Sequence, residues 1–335
     1  MESAPVPASV TFADGLGTRQ TVIDHVRNEA LEMLFLRAEL TAVPSFEAVL
    51  RERVSDLASF RHGCYGQVRR VERMDNASAT LVLVSDATAG VRLSKILQFA
   101  ERPDMTLDIE AALCLLRQLV PAIAMLHEEA PDIAHGAIAA ERLIVTPGAR
   151  IVVVEHVLGS ALEQLHLSHE KYWRELRIAL PKAPGAHGFG HRTDVTQLGV
   201  VALSLILGRR LLDDEGPSRL SELVASAWAV SVRGGLEPLP AGLRAWLKSA
   251  LQLDAKRSFG SAIEAQEELE RVLGESDYLA APTTLESFLA QYRTAFPPVV
   301  PAASASPVAA AAPAVRMAPA AVVAQIGRAS CRERV

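Results

Sequence analysis

Between His135 and Gly159 the chain reads HGAIAAERLIV, then TPGA, then RIVVVEHVLG. Two short apolar runs, LIV and IVVV, flank a turn that carries Pro147 and Gly148. Runs this short, bounded by turn formers, predict a buried hairpin. Upstream, LDIEAALCLLRQLVPAIAMLHE is apolar at three- and four-residue intervals, which predicts a long helix kinked at Pro121. Downstream, TDVTQLGVVALSLILG predicts a second helix, with Thr193 as N-cap and Gly208 as C-cap. The rest of the chain has to be arranged around this hairpin.

This order of segments resembles the catalytic core of the protein kinases, whose eukaryotic-type serine/threonine members also occur in bacteria. The family's catalytic loop is His-Arg-Asp, four residues, then Asn, and its metal loop is Asp-Phe-Gly. Here the loop is His135-Gly136-Ala137, then Ile138 to Glu141, then Arg142, and the metal loop is Glu155-His156-Val157. The resemblance runs from about Val22 to Leu273. It implies an α+β, two-lobed fold with a small β-rich N-lobe over 19–88 and a larger, mostly helical C-lobe over 89–280. Residues 1–18, small and polar with Pro5 and Pro7, are expected to be loose. Residues 281–325 are expected to be a Pro/Ala-rich linker, unpatterned from Pro297 on. The last ten residues, IGRASCRERV, resemble a translated sequencing adapter; they are set aside, and the natural chain is expected to continue past Gln325.

Within the N-lobe, TVIDHV and LEMLFLR flank RNEA as a hairpin, although EALEMLFLRAEL also has a helical reading. FEAVLRERVSDLASFRH puts Phe46, Val49, Leu50, Val54, Leu57 and Phe60 on one stripe of a helix. QVRRVERM and ATLVLVSD read as two more strands around DNAS, and the hinge follows at Ser85 to Gly90. Five strands, one helix and an occluded cleft are expected there.

The resemblance implies a nucleotide site, and the residues at its positions remove the chemistry. Phosphoryl transfer on this scaffold needs an Asp base, an Asn and an Asp on magnesium, and a strand lysine on the phosphates. Ala137 replaces the base and cannot accept a proton. Arg142 replaces the Asn, and its fixed positive charge repels a metal ion. Ala139 replaces the loop lysine. No lysine precedes Lys95, which already lies beyond the hinge. Arg37 is the nearest substitute, with Glu52 as a helix partner; a solvated strand-end charge is the alternative. The turn GLGTRQ supplies Gly15 and Gly17 beside Asp14, an unfavourable neighbour for phosphate and otherwise an ordinary turn. Arg37, Glu52, Asp86 and Glu155 are the side chains left to meet a nucleotide. Glu155 is expected to pair with Arg142, and His135 to pack beneath the loop. Asp194 is implied to accept backbone N–H groups of the loop, and Arg257 to pair with Glu175 of WREL, the stand-in for Ala-Pro-Glu. All three are structural roles.

A net charge of −5 supplies no basic footprint for nucleic acid. The three cysteines show no pairing or metal spacing, which suits a cytoplasmic chain. The longest apolar runs carry charges or fall short of a membrane span, and no signal pattern opens the chain. The expectation is therefore a pseudokinase, without metal or ATP cofactor, that binds or scaffolds an unidentified protein partner in bacterial signalling. The alternatives are an atypical kinase or nucleotidyl-transferring enzyme using Glu155 and Arg37, and a helical protein with an accidental likeness.

Overall fold

The computed structural model describes residues 10–74, 79–102, 104–181, 188–254, 256–276 and 278–296. Its N-terminal part is an antiparallel sheet of β1 (Val10–Ala13), β2 (Gly17–Asp24), β3 (Glu29–Leu36), β4 (Val68–Arg73) and β5 (Leu81–Asp86), ordered β1-β2-β3-β5-β4. The five expected strands are present. Residues 10–18, expected to be loose, instead form β1, a tight turn and the start of β2. The β2–β3 turn falls at 25–28, where Asn28 has φ +53°, so Glu29 and Ala30 belong to the strand rather than to the turn. The helical reading of the same stretch survives only in one turn, α1 (Ala38–Thr41).

Helix α2 (Pro44–Asp56) follows, with Pro44 pre-organised at its first turn. It buries Phe46 and Leu50, and Leu57 and Phe60 complete the stripe just past its end. Val49 and Val54 are only half-buried, because the helix shows one narrow face to the sheet. The segment DNAS at 75–78 lies outside the described residues.

After the hinge the chain forms β6 (Val91–Arg92), α3 (Leu93–Ala100) and α4 (Ile109–Glu129). The hairpin expected at the centre is β7 (Leu143–Val145) and β8 (Ile151–Val153), fully buried and paired with β6 in the order β6-β7-β8. Asp108 caps α4 by accepting from the Ala111 amide at 2.8 Å. α4 runs as one helix through Pro121. Contrary to the sequence expectation, α4 is long and apolar enough to cross a membrane. In this fold, however, 78% of that stretch is buried in the core, against α7, α10 and α11.

The C-lobe continues with α5 (Gly159–Glu163), α6 (His169–Leu176), α7 (His191–Leu207) and α8 (Leu220–Ala225). A short hairpin, β9 (Trp228–Val230) with β10 (Leu236–Pro238), precedes α9 (Ala241–Ala250) and α10 (Ala262–Gly274). Gly208 ends α7 in the left-handed region at φ +62°, as expected. Thr193 is not the N-cap. The helix starts earlier, from Gly190, and the Thr193 hydroxyl donates to the Gly188 carbonyl within the first turn.

The expected linker is also corrected. Pro282–Ala295 is a helix, α11, that buries Leu285, Phe288, Leu289 and Tyr292. Tyr292 meets Phe99 of α3 edge-on at 5.1 Å. The tract from Pro297 and the segment 326–335, with Cys331, lie outside the described residues.

Candidate functional site: the cleft between the lobes

The strand alternation of β2 buries Gly17 and Arg19 and exposes Thr18 between them. Arg19 lies opposite Leu34 of β3 and is fully buried, although it is one of the longest charged side chains. Its Nε and Nη2 donate to Glu155 Oε1 and Oε2 at 2.8 and 2.7 Å, a two-pronged contact that matches guanidinium to carboxylate. Its Nη1 donates to Asp14 Oδ1 at 2.5 Å. Glu155 therefore pairs chiefly with Arg19. Arg142, the partner expected from sequence, approaches it only to 3.9 Å and donates instead to the Leu176 carbonyl at 2.9 Å.

Arg92, at the end of β6, completes the cluster. Its Nη1 reaches Glu155 at 3.2 Å and its Nη2 reaches Glu32 of β3 at 2.5 Å. The guanidinium carbons of Arg19 and Arg92 each lie 5.2 Å from the Phe12 ring centre. Three arginines thus meet three carboxylates, Asp14, Glu32 and Glu155, in a largely buried space. Burial alone would raise the Glu155 carboxyl. The charges of Arg19 and Arg92, the hydrogen bonds from Arg19 and the charge of Arg142 outweigh it and hold the group well below the usual carboxylate range. Burial opposes the charged form of Arg19, but Glu155 and Asp14 more than offset it and raise its pKa. Glu155 also holds φ +62°, a conformation costing a non-glycine residue about 1 kcal/mol or more.

The kinase fold implies magnesium and a nucleotide in this cleft, and the residues present do not fit them. Both Glu155 oxygens are engaged by arginines, and Ala137 and Arg142 are buried at the base and Asn positions. The cleft-side residues of β3 are Glu32, Leu34 and Leu36, so no cation stands on that strand to hold phosphate. The glycine turn has closed on itself. Leu16 N donates to Asp14 Oδ1, and Gly17 N to the Asp14 carbonyl, so these amides are not free for an anion. Leu16 itself is fully buried. Gly15 packs on the end of α6, where an added Cβ would stand 1.5 Å from the Glu175 carbonyl oxygen.

The other site candidates separate cleanly. Asp194 accepts from the amides of His135 and Gly136 at 2.8 and 2.6 Å, as the resemblance implies. Gln197 reinforces it through the Ile138 amide and the Gly136 carbonyl. His135 is fully buried under the loop, and burial pushes its pKa down to about 4. His156, among the rings of Phe60 and Tyr65, is pushed by burial to about 3. Arg37 does not meet Glu52. It is 41% exposed, pairs with Glu39 and donates to the Gly15 carbonyl, which is the solvated alternative. Glu52 is exposed, and Asp86 is held by Arg69. Arg257 and Glu175 are both exposed, and no ion pair joins them among the described residues. The WREL segment is the end of α6, with Glu175 on its outer side.

Asp14, Arg19, Glu32 and Arg92 carry the cleft's electrostatics and were not picked from sequence as a set. One signal was available. Two residues beyond Gly17 in a strand, Arg19 shares the glycine's face of the sheet, and the alternation alone does not say whether that face is buried.

No protein-family model matches this sequence, and neither does any curated protein. Solved structures do. The chain is similar to the PknI kinase domain of Mycobacterium tuberculosis, at 17% identity and TM-score 0.58, over 81% of this chain and 100% of that one. It is also similar to the kinase domain of maize SIRK1, sucrose-induced receptor kinase 1, solved with AMP-PNP. There the identity is 18% and the TM-score 0.53, over 86% of this chain and 98% of that one. The chain has the two-lobed protein-kinase fold.

Proposed function

We propose that this kinase-fold domain is a pseudokinase: it transfers no phosphate and serves as a protein-binding or scaffolding module in bacterial cytoplasmic signalling. The observation that carries the reading is the two-pronged Arg19–Glu155 contact, which consumes the one acidic side chain left in the metal loop. Ala137 supports it from the other side of the reaction, since no base stands where a substrate hydroxyl would lose its proton. The folding contacts of Asp194 are kept while the catalytic positions are changed, which suits selection for shape. Fold alone does not assign a function, so the reading rests on these side chains.

The test is a thermal-shift titration with ATP and magnesium, beside a radiolabel assay with a general protein acceptor. No shift and no label are expected. Label moving from ATP to protein, abolished by Glu155→Gln, supports the alternative of an atypical kinase and ends this one.

A further inference from the structure

The lobes are connected by the hinge chain at 87–90 and by a docked loop before β4. In that loop Gly66 N donates to the Val153 carbonyl, Val153 N to the Cys64 carbonyl, and the Tyr65 hydroxyl to the Ala122 carbonyl. These backbone attachments make a pivot. Across the cleft the lobes also meet where α2 lies against α5, with Ser45 donating to Gln164, where Gly15 rests on α6, and through two ion pairs: Arg19 of β2 to Glu155 beyond β8, and Glu32 of β3 to Arg92 beside the hinge.

We propose that Arg19, Glu32, Arg92 and Glu155 form an ionic latch that binds the two lobes into a single cooperatively folding unit. The latch is all-or-none for geometric reasons. A guanidinium fork satisfies both carboxylate oxygens only at one distance and orientation. Charges buried this deeply are costly once their partner withdraws. Glu155 is the keystone, because it lies within 4.0 Å of Arg19, Arg92 and Arg142. Without it, three arginines would face one another with Asp14 and Glu32 alone as counter-charges. Opening would part a net negative set, Arg19 with Asp14 and Glu32, from a net positive one, Glu155 with Arg92 and Arg142, and full closure compensates both. The latch goes beyond the loss of phosphate transfer, since a cleft that merely lacked catalytic groups would need no cross-lobe network.

Calorimetry and hydrogen exchange on the full chain test this. Wild type should unfold in one transition. Arg19→Met should split that transition in two and raise amide exchange in β2 and β3 at least tenfold, with α7 and α10 unchanged. A single transition merely shifted to lower temperature, with exchange raised evenly, would make the contact an ordinary stabilising pair and overturn the latch. Should Arg19→Met fail to fold, Arg19→Lys keeps the charge and loses the fork. It should then speed β2 and β3 exchange selectively, and wild-type protection in that variant would equally overturn the proposal. The readout does not involve nucleotide, so its failure is distinguishable from that of the pseudokinase reading.

Discussion

The Asp194 carboxylate accepts the Nε2–H of His127 at 3.0 Å while it also holds the amides of His135 and Gly136. The other imidazole nitrogen, His127 Nδ1, accepts from the Ala262 amide at 3.1 Å, which places the ring's donor hydrogen on Nε2. His191 stacks on that ring at 3.7 Å. One buried carboxylate thus joins α4, the loop at 135–138 and α7, and through His127 the start of α10.

Asp194→Asn tests the node. The amide NH2 would face a backbone N–H that now has no acceptor, at a site with no water access. A loss of about 2–3 kcal/mol is expected in urea unfolding. Glu175→Ala, on the exposed side of α6, should stay within about 0.5 kcal/mol.

The parts of this architecture that were legible in sequence are those written in local pattern. The LIV/IVVV hairpin, the apolar α4 and α7, and Gly208 all follow from periodicity and turn chemistry over a few residues. The Arg19–Glu155 contact joins positions 136 apart, and a strand arginine after a glycine turn reads equally well as a surface charge. Only the closure of β2 over the loop after β8 makes it interior. Arg257 and Glu175 failed for the converse reason. Their motifs matched, but α6 extends to Leu176 and leaves Glu175 in solvent.

Acid should unfold this domain from an unusually high pH. His135 and His156 are neutral in the fold, with pKa values near 4 and 3, against about 6.5 in the unfolded chain. Between those values the unfolded state binds more protons, so stability falls as pH drops below about 6.5 and is fully present above it. At most, His135 accounts for roughly 3 kcal/mol and His156 for roughly 5. Glu155, with its depressed pKa, adds a further loss below the ordinary carboxylate range. His156→Phe places a ring among Phe60 and Tyr65 without a proton to bind. It should flatten the slope of unfolding free energy between pH 6.5 and 4 by close to one proton.

The glycine turn offers a sharper contrast. Gly15→Ala would drive a methyl into the Glu175 carbonyl, a backbone atom that cannot step aside, whereas a methyl on Gly148 meets nothing within 4 Å. Gly15→Ala should cost about 3 kcal/mol or more and loosen the β1–β2 turn from α6. Gly148→Ala should be close to neutral. Thermal unfolding of the two variants side by side reads the difference, and equal melting temperatures would mean that the turn does not rest on α6.

Helix α11 is the place where composition misled most, and where a deletion tells most. Leu285, Phe288, Leu289 and Tyr292 stand at i, i+3, i+4 and i+7, a helical stripe hidden beside the Pro/Ala tract that follows. The stripe covers α4 and meets Phe99 at the end of α3, with ring centres 6.0 Å away for Phe288 and 5.1 Å for Tyr292. Arg293 adds a hydrogen bond to the Pro147 carbonyl in the β7–β8 turn at 3.0 Å. A linker would contribute nothing to stability. A packed helix leaves Phe99 and one face of the apolar α4 uncovered when it goes. Phe288→Ala should cost about 3 kcal/mol by truncating a buried aromatic. A chain ending at Ala281 should melt well below wild type and bind a hydrophobic dye that the intact protein does not. Unchanged melting after that truncation would mean that α11 is not part of the folded unit.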